Sequence, residues 1–246
     1  MTVLQGKLAV ITGGSRGIGA ATAVRLAEMG ADVAITFSKS DAEAKAIVQK
    51  ITAMGRKAQA YKVDHTTPKA VGETVDKIGQ DFGKIDILVN NAGIYEQKSL
   101  PDLTDAEFEK MFNINVYSVF AATRAAIKFM PDHGRIINIG SVLGERAIFP
   151  GMTAYAMSKF AVAGMSRAWA WDLGARKITV NCVEPGPINT DMNPENAEYS
   201  DEQRKMNPLS RFGQPKEVAA VIAFLASPES ANVNGATIGV DGGMNA

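Results

Sequence analysis

Residues 7–29 read Lys-Leu-Ala-Val-Ile-Thr-Gly-Gly-Ser-Arg-Gly-Ile-Gly-Ala-Ala-Thr-Ala-Val-Arg-Leu-Ala-Glu-Met, and this stretch decides the fold. A short apolar run is followed at once by glycines and then by a helix-forming run, which predicts a strand, a tight turn and a helix. Gly13, Gly17 and Gly19 stand where such a turn must be tight, where backbone approaches a pyrophosphate, and where helix packs on strand. Because the first amides of the helix then face phosphate oxygens, the stretch predicts a dinucleotide-binding turn.

Apolar runs alternate with helix-forming runs along the rest of the chain. The strand-like runs are continuously apolar, as parallel strands covered on both faces must be. Ser40 and Thr104 each stand three residues before a Glu and are predicted to open helices with capping boxes, and Pro68 is predicted at the first position of another helix, capped by Thr67. The pattern predicts one Rossmann-type doubly wound α/β domain over residues 1–246, with about seven parallel strands and helices on both faces. The remaining predicted strands cover residues 31–37, 58–63, 85–89, 135–139, 178–183 and 236–240, and the remaining helices cover residues 40–54, 67–82, 104–131, 153–174 and 215–228.

The composition excludes several classes of protein. Charge is balanced, with 26 basic and 26 acidic residues, so no basic surface for nucleic acid is predicted. The single cysteine, Cys182, excludes an internal disulfide and lies in an apolar run, so it is interpreted as a packed strand residue in a reducing compartment. The N-terminus lacks the apolar core of a signal peptide, and no window of about 18 apolar residues predicts a membrane span. The sequence therefore predicts a cytoplasmic protein.

Tyr155 and Lys159 are four residues apart in a run of helix-forming composition. The spacing places a phenol and an ammonium on one helical face. Because a neighbouring cation favours the phenolate, Lys159 is predicted to lower the pKa of Tyr155 and prepare it for proton transfer. Ser141 follows the predicted strand 135–139, at the edge where a doubly wound sheet binds its ligands. Taken alone, such a Tyr–Lys pair also occurs on solvated helix faces.

The residues after the second predicted strand indicate which dinucleotide is bound. An NAD-selective site ends this strand with an acid for the ribose 2′-hydroxyl, whereas this strand ends in Ser38 and Lys39. Arg16 and Lys39 can instead meet a 2′-phosphate, and Ser38 can donate a hydrogen bond to it, which favours NADP over NAD. Asp41 is interpreted as an acid in the first turn of the next helix.

Three further stretches lie at the predicted ligand-binding edge of the sheet. Asp64 either accepts a hydrogen bond from the adenine amino group or is a plain turn acid. Asn91, Ala92 and Gly93 follow the fourth strand, and their small size lets a cofactor ribose lie against backbone. The polar segment 187–209 is either a mobile substrate lid or an ordinary surface excursion.

These motifs resemble those of the short-chain dehydrogenase/reductase family along nearly the whole chain. Within the family the sequence is similar to the bacterial 3-oxoacyl-carrier-protein reductase type. It is more similar still to an offshoot that shares Pro-Gly-Pro-Ile-x-Thr-Asp-x-Asn-Pro and includes a cyclic-di-GMP-binding biofilm dispersal mediator. The matching motifs are the glycine turn 12–19, residues 90–93, Asn115 in Asn-Ile-Asn-Val, Ser141, Tyr155 with Lys159, and Pro185-Gly186 followed by Thr190.

The resemblance implies a role for each matching residue. Tyr155 protonates a carbonyl oxygen as hydride arrives from the nicotinamide, Lys159 lowers the pKa of Tyr155 and holds the ribose, and Ser141 orients the substrate oxygen. Asn115 holds a water that links Lys159 to solvent. Hydrogen-bond donors such as Tyr155 and Ser141, positioned before the reaction, stabilise the transition state more than the ground state. The predicted cofactor-binding residues are Gly13, Ser15, Arg16, Gly17, Ile18, Gly19, Ser38, Lys39, Asp64, Asn91, Ala92, Gly93, Tyr155, Lys159, Pro185, Gly186, Ile188 and Thr190.

Two residues depart from the carrier-protein reductase pattern. Asp132 stands where those reductases tend to carry a basic residue for docking an acidic carrier, although Arg176 and Lys177 offer a second contact. Glu184 precedes Pro185-Gly186 where a small or amide residue is commoner, and the sequence gives it no role. These departures favour a small free ketone or aldehyde as substrate. The predicted pocket residues flank the catalytic groups and are Leu143, Gly144, Glu145, Ile148, Met152, Pro187 and Met192.

The sequence thus predicts an NADPH-dependent carbonyl reductase that also runs towards alcohol oxidation. The alternatives are a 3-oxoacyl-carrier-protein reductase and a nucleotide-binding regulator without turnover. No Cys, His and Asp residues have the spacing of a metal site, and the two histidines, His65 and His133, are interpreted as turn residues. The resemblance implies a homotetramer formed through the long helices and the C-terminal strand.

Overall fold

The computed structural model describes residues 2–246, in which seven strands form one parallel sheet. The strands are β1 (Leu8–Ile11), β2 (Asp32–Phe37), β3 (Ala58–Lys62), β4 (Ile87–Asn90), β5 (Arg135–Ile139), β6 (Thr179–Pro185) and β7 (Thr237–Val240). Their order across the sheet is β3-β2-β1-β4-β5-β6-β7. The chain therefore winds outward in both directions from β1 and β4. In open α/β sheets ligands bind at the carboxyl ends of the strands, where the order reverses.

Helices cover both faces of the sheet, which confirms the doubly wound α/β fold. They are α1 (Gly17–Glu28), α2 (Asp41–Ala53), α3 (Pro68–Phe82), α4 (Asp105–Phe112), α5 (Ser118–Ala126), α6 (Thr153–Asp172), α7 (Ser200–Lys205) and α8 (Pro215–Ala226).

The sheet separates two apolar cores. Ala9 and Ile11 of β1 face the core formed with α1, α2 and α8, whereas Leu8 and Val10 face the core formed with α3, α5 and α6. Because successive strand residues point to opposite faces, a strand buried on both sides needs the uninterrupted apolar run seen in the sequence.

The predicted helix over residues 104–131 is wrong as one continuous helix. A π-helical turn, Asn113–Tyr117, separates α4 from α5, and α5 ends at Ala126. A π turn widens the backbone spiral and often marks a functional position, and here it carries Asn115. The capping box of Thr104 with Glu107 is confirmed, because both reciprocal hydrogen bonds are present.

The other predicted helix starts differ in their caps. Ser40 precedes α2 without a side-chain cap, so that predicted capping box is wrong, and Thr67 likewise makes no side-chain cap to α3. Asp41 lies in the first turn of α2, as predicted, and pairs with Lys62 of β3 at 2.7 Å. No helix within residues 2–246 is both long and apolar enough to cross a membrane.

Candidate active site

Ser141, Tyr155 and Lys159 converge at the carboxyl end of β5. Ser141 lies just after the end of that strand. Its Oγ accepts a 3.2 Å hydrogen bond from the Leu143 amide, which stabilises the start of the loop that leads to α6. The Tyr155 phenol lies close to the Ser141 side chain, which favours the ionised form of the phenol. Lys159, one turn further along α6, is buried and donates a 2.9 Å hydrogen bond from Nζ to the Ile139 carbonyl.

The protonation of Tyr155 differs from the sequence prediction. Burial raises the pKa of Tyr155 to about 12, and the neighbouring Ser141 side chain opposes this rise in part. Burial outweighs the neighbouring Lys159, whose ammonium is held at Ile139 and lies 5.6 Å from the centroid of the Tyr155 ring. Burial also lowers the pKa of Lys159 to about 8. The side chains alone therefore hold Tyr155 as a neutral proton donor.

Asn115 reaches the same site from the π turn. Its Oδ1 accepts from the Ile94 amide at 2.9 Å, and its Nδ2 donates to the Ile94 carbonyl at 3.0 Å and to Ser158 Oγ at 3.1 Å. A Cβ at Gly93 would lie 3.3 Å from Asn115 Oδ1 and 3.6 Å from Lys159 Nζ. Because Gly93 has no side chain, the side chains of Asn115 and Lys159 can both lie next to it.

The glycine turn between β1 and α1 has the geometry of a phosphate cradle. Gly13 and Gly17 have φ values of +65° and +54°, a region that favours glycine. A Cβ at Gly19 would lie 2.3 Å from the Gly13 carbonyl, so the turn can close this tightly only with glycine there. Together with the amides at the start of α1, the turn fits a dinucleotide pyrophosphate. Ser15 and Arg16 belong to this same turn, and Ile18 lies in the first turn of α1.

The side chain of Asn91 binds the backbone of the glycine turn and does not point into the cleft. Its Nδ2 donates to the carbonyls of Thr12 and Gly13 at 2.9 and 3.0 Å, and the Ala92 amide donates to Thr12 Oγ1 at 3.0 Å. These bonds tie the end of β4 to the end of β1. Asn91 thus positions the cradle, while Ala92 and Gly93 offer backbone.

The predicted adenosine end lies after β2 and β3. Ser38 Oγ donates to the Val63 carbonyl at 2.8 Å, and Lys39 follows it at the surface. Asp64 accepts from the Thr66 amide at 2.9 Å, and this hydrogen bond lowers the pKa of Asp64. Arg16, in the glycine turn, pairs instead with Asp191 of the segment after β6, at 3.6 Å.

The segment after β6 passes over the glycine turn. Pro185 ends the strand, and Gly186 is a close-packed position, because a Cβ there would lie 2.8 Å from Asp241. Thr190 approaches Gly17, with its Cγ2 3.4 Å from the position of a Gly17 Cβ. The side chain of Ile188 is packed in the core with α1 and α8, so only its backbone can face the cleft.

The predicted pocket residues are only partly brought together. Leu143, Ile148 and Met152 pack with Tyr155 in one apolar cluster. Gly144 and Glu145 continue the Ser141 loop. Pro187 is buried at the start of the segment 187–209, whereas Met192 is half exposed and outside the cluster.

Glu184 is buried beside these groups. It is 1% exposed, and its Oε1 has no hydrogen-bond partner among residues 2–246. Burial and the nearby Glu145 carboxylate raise the pKa of Glu184 to about 7.

Comparison with known proteins decides the family. Residues 13–245 match the family model described as Enoyl-(Acyl carrier protein) reductase. The chain is 42% identical to the cyclic-di-GMP-binding biofilm dispersal mediator protein of Escherichia coli K12, over 100% of both chains. It is 40% identical to the 3-oxoacyl-(acyl-carrier-protein) reductase FabG of Thermotoga maritima, over 98% of both. A short chain dehydrogenase from Burkholderia cenocepacia J2315, solved in complex with NADP, superposes with a TM-score of 0.97 at 48% identity over 99% of both chains.

The chain belongs to the short-chain dehydrogenase/reductase family.

Two residues of this short-chain dehydrogenase/reductase site were missed by the sequence analysis. Tyr95 lies edge-on against Tyr155, with ring centroids 5.1 Å apart and an interplanar angle of 79°. Met244, near the C-terminus, packs in the cluster with Leu143 and Met152. Both residues follow the carboxyl end of a predicted strand. This position is the one feature of the sequence that could have placed them at the site.

The two histidines occupy turns, as predicted, but in different surroundings. His133 is exposed, with φ of +65°. His65 is 6% exposed, and its Nε2 lies 3.0 Å from Thr36 Oγ1. Cys182 is a buried strand residue, also as predicted.

Proposed function

We propose that this protein is an NADP(H)-dependent reductase that converts a ketone or aldehyde to an alcohol, reversibly. The observation that carries the proposal is the convergence of Ser141, Tyr155 and Lys159 at one strand end, next to a glycine turn suited to a pyrophosphate. The complex of the Burkholderia relative with NADP supports this cofactor, as does the absence of an acid at the end of β2.

The side chains divide the chemistry between them. When bound, the reduced nicotinamide supplies a hydride to the carbonyl carbon. Tyr155, kept neutral by burial, donates its proton to the carbonyl oxygen, and Ser141 donates a hydrogen bond to the same oxygen. The Lys159 ammonium stabilises the phenolate that remains, and Asn115 connects this end of the site towards solvent for proton resupply.

The substrate is proposed to be small and free rather than attached to a carrier protein. Asp132 pairs with Arg176 at 3.3 Å. The positive charge of Arg176, which could have contacted an acidic carrier protein, is therefore already neutralised by an acid of the same chain. The cluster of Leu143, Met152 and Met244 beside Tyr155 offers an apolar wall. The likeness to Thermotoga FabG supports the alternative of a carrier-bound 3-oxoacyl substrate, which predicts far better turnover of carrier-bound than of free substrates.

The segment 187–209 is proposed to be a substrate lid. It contains α7, which begins directly after the half-exposed Tyr199, and it contacts the glycine turn through Thr190 and Asp191. A segment that touches both the cofactor cradle and the substrate side can close over both.

The proposed assembly is a homotetramer in the cytoplasm. The exposed side chains of Tyr117 and Phe120 on the α4–α5 side, and of Met157, Phe160 and Trp171 on α6, leave apolar helix faces uncovered, with Trp171 89% exposed. Aromatic and Met side chains are enriched at protein interfaces. The buried, unpaired Cys182 thiol supports a reducing compartment.

Steady-state assays of NADPH oxidation with 2,3-butanedione, ethyl pyruvate and 4-nitroacetophenone test the proposed function. We expect turnover of at least one ketone, and a loss of about 10²-fold or more in Tyr155→Phe, since positioned acid catalysis contributes about 10²–10⁴-fold. Tyr117→Phe makes the same chemical change at an exposed ring and is expected to leave turnover unchanged. Equal rates for Tyr155→Phe and the parent would refute the acid assignment.

A regulator without turnover is the second candidate, and it draws support from the likeness to the cyclic-di-GMP-binding protein of Escherichia coli. Calorimetry with cyclic di-GMP separates the two functions. Tight uptake of cyclic di-GMP together with no NADPH consumption for any carbonyl favours the regulator, whereas ketone reduction without uptake favours the enzyme.

A further inference from the structure

We propose that Glu184 is a positioning residue for catalysis: its buried carboxylate keeps Lys159 in the ammonium form and so sets the upper end of the working pH range. This inference rests on the proposed reductase function and adds a residue to it. Within residues 2–246 the Oε1 of Glu184 has no hydrogen-bond partner, although the side chain is 1% exposed. A buried acid without a structural task is a candidate for a functional one.

Two glycines make room for the Glu184 side chain next to the catalytic loop. A Cβ at Gly140 would lie 2.9 Å from Glu184 Cγ and 3.3 Å from its Oε1, and a Cβ at Gly144 would lie 3.2 Å from the same Oε1. The Gly144 position is also 3.1 Å from the backbone carbon and oxygen of Lys159. Glu184 therefore lies between the two ends of the Ser141 loop and the turn of α6 that carries Lys159.

The register of the sheet explains why the two charges face one region. Ile139 of β5, whose carbonyl holds Lys159 Nζ, pairs with Val183 of β6, the residue before Glu184. Cys182 points to the same side of β6 as Glu184, because alternate strand residues share a face, and it packs against Val162 and Ala163 of α6. The carboxyl of Glu184 is thus on the α6 side of the sheet, as is Lys159.

Four charged or titratable groups surround Glu184. Glu145, on the loop after Ser141, carries a like charge and raises the pKa of Glu184. Arg167 and Lys159 face it from α6 with opposite charge, and Cys182 neighbours it on β6. Because like charges resist ionising next to each other, the Glu145 carboxylate raises the pKa of Glu184 further than burial does alone.

The sign of the effect follows from these neighbours. The pKa of Glu184 is raised to about 7, first by burial, so its carboxyl is neutral in mildly acidic solution and an anion above neutrality. The pKa of Lys159 is lowered to about 8 by burial, and Cys182 and Glu184 act against this lowering. Above neutrality the Glu184 carboxylate is an anion, and its charge opposes the loss of the Lys159 proton.

The pH dependence of ketone reduction by the NADPH-bound enzyme tests the proposal, with 2,3-butanedione as probe. Glu184→Gln removes the charge and keeps the shape. We expect its kcat to match the parent near pH 6 and its alkaline limb to lie about one pH unit lower, about a tenfold loss near pH 9. Asp172→Asn removes an exposed carboxylate at the end of α6 and is the matched control, expected to keep the parental profile. Superimposable limbs for Glu184→Gln and the parent would overturn the proposal.

A direct titration of Lys159 separates this inference from the proposed function. The ¹³Cε resonance of Lys159 in the NADP⁺ complex, assigned by its loss in Lys159→Arg, reports the ammonium whether or not any ketone is reduced. A lower midpoint in Glu184→Gln supports the inference even if the parent consumes no NADPH, and an unchanged midpoint overturns it even if the parent is an active reductase.

Glu145→Gln provides a second variant, at an exposed position that folding tolerates. Loss of this neighbouring carboxylate lets Glu184 ionise at lower pH, so the Lys159 midpoint stays at or above the parental value. If the Lys159 midpoint in Glu145→Gln instead falls by as much as Glu184→Gln is expected to lower it, then Glu145, not Glu184, keeps Lys159 protonated. That result would overturn the assignment.

Discussion

Arg16 and Asp191 form an ion pair across the mouth of the cofactor cleft, with Nη1 3.6 Å from Oδ2. Arg16 belongs to the glycine turn before α1, and Asp191 belongs to the proposed lid after β6. Their side chains are 61% and 71% exposed, so the pair is worth no more than about 1 kcal/mol. The same guanidinium is the proposed partner of a cofactor 2′-phosphate, and the two contacts compete for it.

Removal of Arg16 is expected to weaken NADPH binding selectively. Arg16→Met should raise the Kd for NADPH about 10-fold or more, since a hydrogen bond to a charged group is worth about 1.5–3 kcal/mol. The Kd for NADH, which has no 2′-phosphate, should change little. Asp191→Asn frees the guanidinium and should tighten NADPH by up to about fivefold. Fluorescence titrations with both cofactors measure these constants, and an equal loss of NADPH and NADH affinity in Arg16→Met would assign Arg16 to the pyrophosphate instead.

Tyr95 is expected to hold Tyr155 in its productive orientation. The edge-on contact of the two rings, with centroids 5.1 Å apart, is worth about 0.5–1.5 kcal/mol. Tyr95→Ala should therefore lower kcat for 2,3-butanedione about 3- to 10-fold with little change in KM, because the ring of Tyr155 gains freedom. Tyr95→Phe keeps the edge contact and should restore the parental kcat. Loss of activity in Tyr95→Phe as large as in Tyr95→Ala would show that the Tyr95 hydroxyl, not its ring, matters.

The fold could be predicted because its determinants are local. Continuous apolar runs, such as the one in β1 that includes Val10 and Ile11, mark the strands. Glycine, proline and capping residues mark where strands and helices begin and end, to within a few residues. Gly13 and Gly17, which the sequence places in the tight turn, both have positive φ. The positions of Ser141, Tyr155 and Lys159 at one edge follow, because parallel strands place their carboxyl ends together.

The rest depends on contacts between distant parts of the chain. The π turn at Asn115 is held by bonds to Ile94 and Ser158, which lie 21 and 43 residues away. The pKa of Tyr155 rises because neighbouring chain segments bury it, whereas sequence spacing showed only the nearby lysine. Met244 reaches the pocket because the C-terminal tail is bound to the catalytic loop through Asn245, whose Nδ2 donates to the Val142 carbonyl at 2.9 Å. Short-range patterns carry no information on such contacts.

Two glycines of α3 are expected to respond oppositely to alanine. A Cβ at Gly72 would make ordinary contact with Ala121 at 3.5–3.7 Å, whereas a Cβ at Gly79 would lie 2.3–2.7 Å from the ring of Phe129. Gly72→Ala should therefore stabilise the protein by about 0.5–1 kcal/mol through helix propensity. Gly79→Ala should destabilise it by about 1–3 kcal/mol through overpacking. Urea unfolding at one fixed protein concentration compares them, and a shift of the same sign in both would contradict the packing seen at Phe129.

His65 is expected to make the free energy of unfolding fall in mild acid. Burial lowers the pKa of His65 to about 4, whereas in the unfolded chain a histidine titrates near pH ~6.5. The unfolded state therefore binds one more proton than the native state between these values. The stability that this group contributes is complete above about pH 6.5 and is lost as the pH falls towards about 4. Linkage sets the loss at about 2 kcal/mol by about pH 5.

The two histidines of the chain provide the comparison that isolates this effect from the titration of carboxylates. His65→Gln can still hydrogen-bond Thr36 Oγ1 but cannot titrate, so its unfolding free energy should fall less than the parent's between pH 7 and 5, by about 2 kcal/mol. His133 is exposed in a left-handed turn, a conformation that Asn tolerates, so His133→Asn should keep the parental dependence. Denaturant titrations across this range measure all three proteins. If the parent and His65→Gln lose stability in parallel, the native and unfolded states take up the His65 proton equally, and burial does not lower the pKa of this imidazole.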